Sequence, residues 1–279
     1  MRIEARGLTF DVRTGGPEDG APVLLLHGFP QHAGEWDAVT PALHAAGLRT
    51  YALDQRGYSP GARPDAVEAY RIPELVADAA AVLDALGVTA AHLVGHDWGA
   101  IVAWGLAAAH PQRVRTLTAV SVPHPAAMGH ALATDPRQKA KSAYMALFRM
   151  PGKAEKVLLA MRGAALRRLL RGVGDEATVA RYADPMREPG ALTAALNWYR
   201  AMSGSDMKAV GPVAVPTTYV WSEKDVAIGR TAAEACAARV TGDYRFVVLP
   251  GVSHWIPDEA PGPFVEAILA RIAGTEEEA

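Results

Sequence analysis

The sequence predicts an α/β fold: a mostly parallel, eight-stranded sheet flanked by helices, with a helical lid inserted after the sixth strand. Three observations carry this expectation. Short apolar runs alternate with helix-patterned segments through the first 122 residues, the rhythm of parallel strands joined by crossover helices. That rhythm breaks at Pro123-His124-Pro125, and residues 125–210 show helical patterns without a convincing strand. It resumes at residues 216–221 and 244–249. The core is therefore assigned to residues 1–124 and 211–279, and the lid to residues 125–210.

Residues 3–13 alternate apolar and polar side chains and read as a β-hairpin turning at Arg6-Gly7. Residues 22–26 (PVLLL) are continuously apolar, as a strand covered on both faces must be. A helix is expected over 36–46, stopped by Gly47, then a strand over 48–53. Residues 73–86 form the next expected helix, with proline at its start and Gly87 after it. A strand at 90–94, a helix at 99–109 and a strand at 114–122 follow. Within the lid, 157–170 and 191–202 are amphipathic helix candidates, and a last helix is expected over 261–273. The Glu276-Glu277-Glu278 run reads as a solvated tail.

Half of the 279 residues are hydrophobic and 21% are charged, an ordinary globular composition. A net charge of -2 argues against a nucleic-acid partner. No apolar run is long enough to span a bilayer, so no membrane partner is expected. The single cysteine, Cys236, excludes an intrachain disulfide and fits a reducing, cytoplasmic setting; its alanine-rich surroundings favour a buried packing role. Residues 1–10 lack a signal-peptide core. The oligomeric state is left open, a homodimer among the options.

The chemistry centres on Gly95-His96-Asp97-Trp98-Gly99. Strand, Gly-x-X-x-Gly turn and helix form the context of a nucleophile elbow, which lifts one side chain above the end of the sheet. A serine there would mean acyl transfer. An aspartate can instead attack an alkyl carbon and be left as an ester. Asp225 follows the expected strand at 216–221, and His254 follows the one at 244–249. In open α/β sheets, groups at the carboxyl ends of strands converge, so nucleophile, acid and histidine are expected to meet. Two backbone N–H donors, from Phe29 in His27-Gly28-Phe29-Pro30 and from Trp98, are candidates for an oxyanion hole. Gly57-Tyr58-Ser59-Pro60-Gly61 also matches Gly-x-Ser-x-Gly, but Pro60 has no N–H to offer, so Ser59 reads as a loop serine. His32, Glu35 and His44 lack zinc-site spacing, His96 and His124 read as packing residues, and no metal or cofactor is expected.

Over essentially the whole chain these residues resemble the epoxide-hydrolase branch of the α/β-hydrolase superfamily. His27-Gly28-Phe29-Pro30 is similar to its oxyanion loop, and Gly95 to Gly99 to its elbow. Tyr144 and Tyr199 resemble its two ring-opening tyrosines. The resemblance implies a small-molecule epoxide substrate, attack by Asp97, and hydrolysis of the ester by water that His254 activates with Asp225 behind it. A phenol, with an ordinary pKa of about 10, can hold or protonate the departing oxygen at neutral pH. Phe148, Trp198, Met145, Met150 and Met202 are expected as pocket walls, favouring an apolar substrate. Three alternatives stay open: a haloalkane or haloacid dehalogenase with the same nucleophile, an esterase acting through water activated by His254, and a catalytically silent binding protein on this scaffold.

Overall fold

The computed structural model describes residues 1–276; Glu277 and Glu278 of the acidic run lie outside the described residues. Strands occupy Arg2–Ala5 (β1), Leu8–Gly15 (β2), Ala21–Leu26 (β3), Leu48–Leu53 (β4), Ala91–His96 (β5), Val114–Val120 (β6), Thr217–Ser222 (β7) and Tyr244–Leu249 (β8). They form one eight-stranded sheet in the order β1-β2-β4-β3-β5-β6-β7-β8. The β1–β2 and β2–β4 pairs are antiparallel, and every other neighbouring pair is parallel.

Helices of the first half are Thr40–Ala45 (α1), Ile72–Ala85 (α2) and Trp98–Ala109 (α3). Seven helices lie between β6 and β7: Pro125–Thr134 (α4), Pro136–Lys141 (α5), Met145–Phe148 (α6), Lys153–Leu169 (α7), Glu176–Ala183 (α8), Ala191–Ala201 (α9) and Gly204–Ala209 (α10). The chain closes with Arg230–Glu234 (α11), Ile256–Glu259 (α12) and Pro261–Glu276 (α13).

The period-2 geometry of β3 sends alternate side chains to opposite faces of the sheet. Val23 and Leu25 pack with residues of α1, α12 and α13, while Leu24 and Leu26 pack with residues of α2 and α3. Both faces are thus covered, which is why this strand reads as an unbroken apolar run.

Three expected elements need correction. The helix expected over 36–46 is instead a 3-10 turn, Ala33–Trp36, followed by α1, because Pro41 sits in the first turn and sets a new start. The helix expected from 157 begins at Lys153, and its interior turns left-handed at Met161, Arg162 and Gly163. The last helix extends past 273 to Glu276.

The helical insertion is bound to the core on several sides. At its base the His124 Nε2–H donates to the Gly211 carbonyl (3.0 Å) while Nδ1 accepts from the Ala126 N–H (3.1 Å), so one ring ties both ends of the insertion and caps α4. Arg71 pairs with Asp206 at 2.5 Å, and the Trp198 indole N–H donates to the Arg56 carbonyl at 2.8 Å. Tyr182 of α8 donates to Asp258 of α12 at 2.8 Å.

Glycine is required where α3 crosses β3: a Cβ on Gly99 would stand 1.9 Å from the Leu26 carbonyl oxygen. Gly204, at the start of α10, has open space around the same position. Gly99→Ala is expected to cost about 3 kcal/mol, the upper end of overpacking penalties. Thermal unfolding should show a clear drop in Tm for Gly99→Ala, with Gly204→Ala unchanged or slightly raised.

Candidate active site

The elbow begins where β5 ends. Asp97 adopts φ 52 and ψ -117, a conformation that costs a non-glycine residue about 1–3 kcal/mol and that the surroundings must hold. Its N–H donates to the Val120 carbonyl of β6 at 3.2 Å, and its own carbonyl accepts from Ala100 and Ile101 in the first turn of α3. The loop after β3 closes in from the other side. A Cβ on Gly28 would meet the Asp97 Cβ at 2.4 Å, so only glycine lets the loop bring the Phe29 N–H to 2.9 Å from Asp97 Oδ1.

His254 and Asp225 arrive from the loops after β8 and β7. His254 Nε2 lies 3.5 Å from Asp97 Oδ2, and its Nδ1–H donates to Asp225 Oδ2 at 2.9 Å. The other Asp225 oxygen accepts from the N–H groups of Ala227 (2.8 Å) and Ile228 (2.9 Å), which fixes the carboxylate. Asp97, Asp225 and His254 are all buried.

The electrostatics follow from burying three ionisable groups together. Burial works to raise the Asp97 pKa, but His254, the charge of His96 and the Phe29 N–H outweigh it, and the carboxyl sits below its ordinary value. Burial works against charge on His254 too, yet Asp225 and Asp97 on either side push the imidazole up to about 10. The resting site therefore holds an imidazolium between two carboxylates at neutral pH.

Beneath the elbow lies a second buried pair. Glu35 Oε2 accepts from the Gly28 N–H at 3.2 Å, and Glu35 Oε1 stands 3.0 Å from His96 Nδ1. His96 Nε2–H donates to the His254 carbonyl at 2.9 Å, which also accepts from the Ser121 hydroxyl at 3.0 Å. The loop after β3, the elbow and the His254 loop thus meet at two neighbouring side chains. Glu35 stood out in the sequence only as a neighbour of the loop; its partner 61 residues away in the chain was not legible.

Above Asp97 is a cavity of about 210 Å³. Asp97 and His254 form its floor, and Tyr144, Phe148 and Tyr199 come from the helical insertion. Burial, together with the Asp97 charge, raises both tyrosine pKa values above the ordinary 10, so both phenols keep their protons at neutral pH. The two rings meet edge to face at 6.4 Å, and Trp98 packs edge-on against Tyr199 at 5.1 Å.

Other expected wall residues lie elsewhere. Tyr144 and Phe148 are four residues apart and share one face, so Met145 falls about 100° round the turn and lines a separate cavity with Met202. Met150 is 43% exposed. Trp198, next to Tyr199, points away and is buried against the core. Sequence reasoning missed Pro30, Leu169, Val226, Ala227 and Trp255, which complete the lining. Adjacency to Phe29, Asp225 and His254 was a usable signal for all of these except Leu169.

Ser59 is a structural serine: its hydroxyl donates to the Asp54 carbonyl and accepts from the Asp11 N–H. Trp104 and Cys236 are wholly buried. Among the described residues no group of three His, Cys, Asp or Glu side chains is arranged to hold a metal.

The raised His254 pKa sets a pH dependence of stability. An unfolded histidine titrates near 6.5, so the stabilising contribution is full below that pH and is lost as pH rises through about 10. Asp97 acts in the opposite sense, contributing above its unfolded value of about 3.8 and losing that contribution as pH falls. Denaturant unfolding at pH 6 and pH 10 should show the stability gap between wild type and His254→Gln narrowing at the higher pH; a gap independent of pH would contradict the assignment.

A sequence profile of the alpha/beta hydrolase fold family matches residues 21–261. An AB hydrolase superfamily protein of Bacillus subtilis is 34% identical, covering 96% of this chain and 95% of the relative. Epoxide hydrolase A of Mycobacterium tuberculosis is 33% identical, covering 98% of this chain and 97% of the relative. The crystal structure of epoxide hydrolase A from Mycobacterium thermoresistibile superposes with a TM-score of 0.86 at 27% identity, over 98% of both chains. With the elbow geometry, these similarities establish that the chain belongs to the α/β hydrolase fold family, in its epoxide hydrolase branch.

Proposed function

We propose that the protein adds water to small, apolar epoxides, giving vicinal diols through a covalent ester on Asp97. The observation that carries this reading is that Tyr144 and Tyr199 line the same cavity as Asp97 and His254, with both phenols protonated. Residues 125–210 act in this scheme as a lid that carries the two tyrosines over the core. An epoxide oxygen between the two hydroxyls leaves a ring carbon facing the Asp97 carboxylate.

The charge states support a cycle that balances. Asp97 attacks the ring carbon, the C–O bond breaks, and the alkoxide takes a proton from a phenol. Esterification removes the Asp97 charge, one of the influences holding His254 protonated, so His254 gives up its proton to restore the phenol. The now neutral His254 takes a proton from water, and the hydroxide adds to the Asp97 carbonyl carbon. N–H groups of Phe29 and Trp98 are the donors for the resulting oxyanion, an arrangement worth on the order of a hundredfold in rate per donor. Expulsion of the diol alkoxide, which takes the acid proton, restores Asp97 and the imidazolium. No cofactor enters these steps.

The cavity volume, about 210 Å³, is below the roughly 300–1,000 Å³ of ordinary ligand pockets. Among the described residues its ionisable lining groups are Asp97, His254 and the two phenols, so neutral substrates of a few carbons or one ring fit best. The buried Cys236 thiol, with its pKa pushed up to about 12 by burial, is compatible with a cytoplasmic setting.

His254→Gln should permit alkylation and block hydrolysis, so intact-protein mass spectrometry should find the substrate mass added at Asp97. No adduct with an epoxide that the wild type turns over would sink the two-step scheme. Tyr144→Phe combined with Tyr199→Phe should lower ring opening by about 10²–10⁴-fold with the fold retained. Unchanged turnover, or halide release from haloalkanes faster than diol formation from epoxides, would remove the tyrosines from this role.

A further inference from the structure

Positive charge is concentrated in one part of the insertion. Between Arg149 and Arg171 the sequence has seven Lys and Arg residues and one acidic residue, in a chain whose net charge is -2. Two of these cations have internal work: Arg149 donates to the carbonyls of Tyr199 and Met202, and Arg167 pairs with Glu176 and Asp184. The side chains of Lys153, Lys156 and Arg162 are exposed with no ion pair among the described residues, whereas the exposed Arg168 and Arg171 share a hollow with Asp175 and Glu176.

Apolar side chains stand among these charges. Met161 is 87% exposed, Met150 43% and Val157 41%, three of the most exposed large hydrophobic residues in the protein. The arrangement is amphipathic along α7: Ala154, Leu158 and Leu166 are buried, while Lys153, Lys156 and Val157 face solvent. Met161 and Arg162 hold φ values of 50 and 60, a left-handed conformation unfavourable for non-glycine residues. That conformation stands at the corner of the helix, where the Met161 side chain is exposed.

The same surface adjoins the cavity. Leu169, the last residue of α7, lines the cavity, as does Val226, which is 69% exposed at its opening. Gly172 packs against Ser253 and Trp255, and Trp255 is another cavity wall.

We propose that this face of the insertion docks on an anionic lipid surface, with Met161, Val157 and Met150 entering the headgroup region and Lys153, Lys156 and Arg162 contacting lipid phosphates. Cations interleaved with exposed apolar side chains suit an interface that is negative outside and apolar beneath, whereas a nucleic acid or an acidic protein would leave the methionines in water. No helix among the described residues is long and apolar enough to cross a membrane, so the contact is peripheral. An apolar epoxide partitions into lipid, and docking would set the cavity opening beside that reservoir.

The test is co-sedimentation of the full chain with vesicles of phosphatidylcholine alone and of phosphatidylcholine with 30% phosphatidylglycerol. Binding is expected to the anionic vesicles only and should weaken steeply between 50 and 500 mM salt, as screening shortens the reach of the cations. Lys156→Gln should lower the partition coefficient roughly five-fold, and Met161→Ser should lower it without changing the salt dependence. Turnover of a water-soluble epoxide should be unchanged in both variants, which separates loss of docking from loss of fold or activity. No sedimentation with anionic vesicles at 50 mM salt would overturn the proposal. Equal binding to the two vesicle types, or binding to single-stranded RNA as tight as to anionic vesicles, would overturn it as well.

Discussion

A carboxylate held in its ionised form out of water organises this structure. Asp97 is buried in strained backbone at the end of β5, and burial alone would drive it toward its neutral form. The Phe29 N–H and the His254 imidazolium reverse that tendency, and each comes from a different loop. The Phe29 loop can approach that side chain only because Gly28 lacks a Cβ, and α3 can pack on the end of β3 only because Gly99 lacks one. Strain, close packing and charge are therefore one problem with one solution at the carboxyl end of the sheet.

The imidazolium in turn depends on what lies around it. Asp225 holds the ring from one side through Nδ1, and its own second oxygen is occupied by two backbone N–H groups. Glu35 and His96 each hold the backbone of one approaching loop by a hydrogen bond and stand 3.0 Å apart, a polar network set within an apolar core. Such a network is favourable when its members are paired and costly when one is removed. It gives the core a rigid platform, against which the helical insertion supplies the cavity roof.

Much of this was legible in order along the chain. The strands at 48–53 and 244–249 coincide with β4 and β8, because apolar runs bounded by glycine or proline leave little freedom in where a strand begins. The elbow was legible for the same reason: a strand, two glycines and a helix former impose their geometry locally. Helix limits were less so. Pro41 divided one expected helix, and the left-handed turn through Met161 and Arg162 ends on Gly163, whose lone presence among good helix formers did not mark a break. Pocket walls were the least legible, since Met145 and Trp198 differ from Tyr144 and Tyr199 only by a rotation of about 100° on a helix whose facing partner is distant in sequence.

By itself the sequence determined the α/β class, the aspartate in the elbow, and the chain order of Asp97, Asp225 and His254, because these follow from local pattern and residue type. The tertiary structure decided the rest. Only folding brings Glu35 to His96, sets His254 between two carboxylates, turns the two tyrosines and Phe148 toward one cavity, and leaves Met161 exposed. The physical reason is that proximity, burial and charge compensation depend on contacts between segments far apart in the chain, which local pattern does not encode.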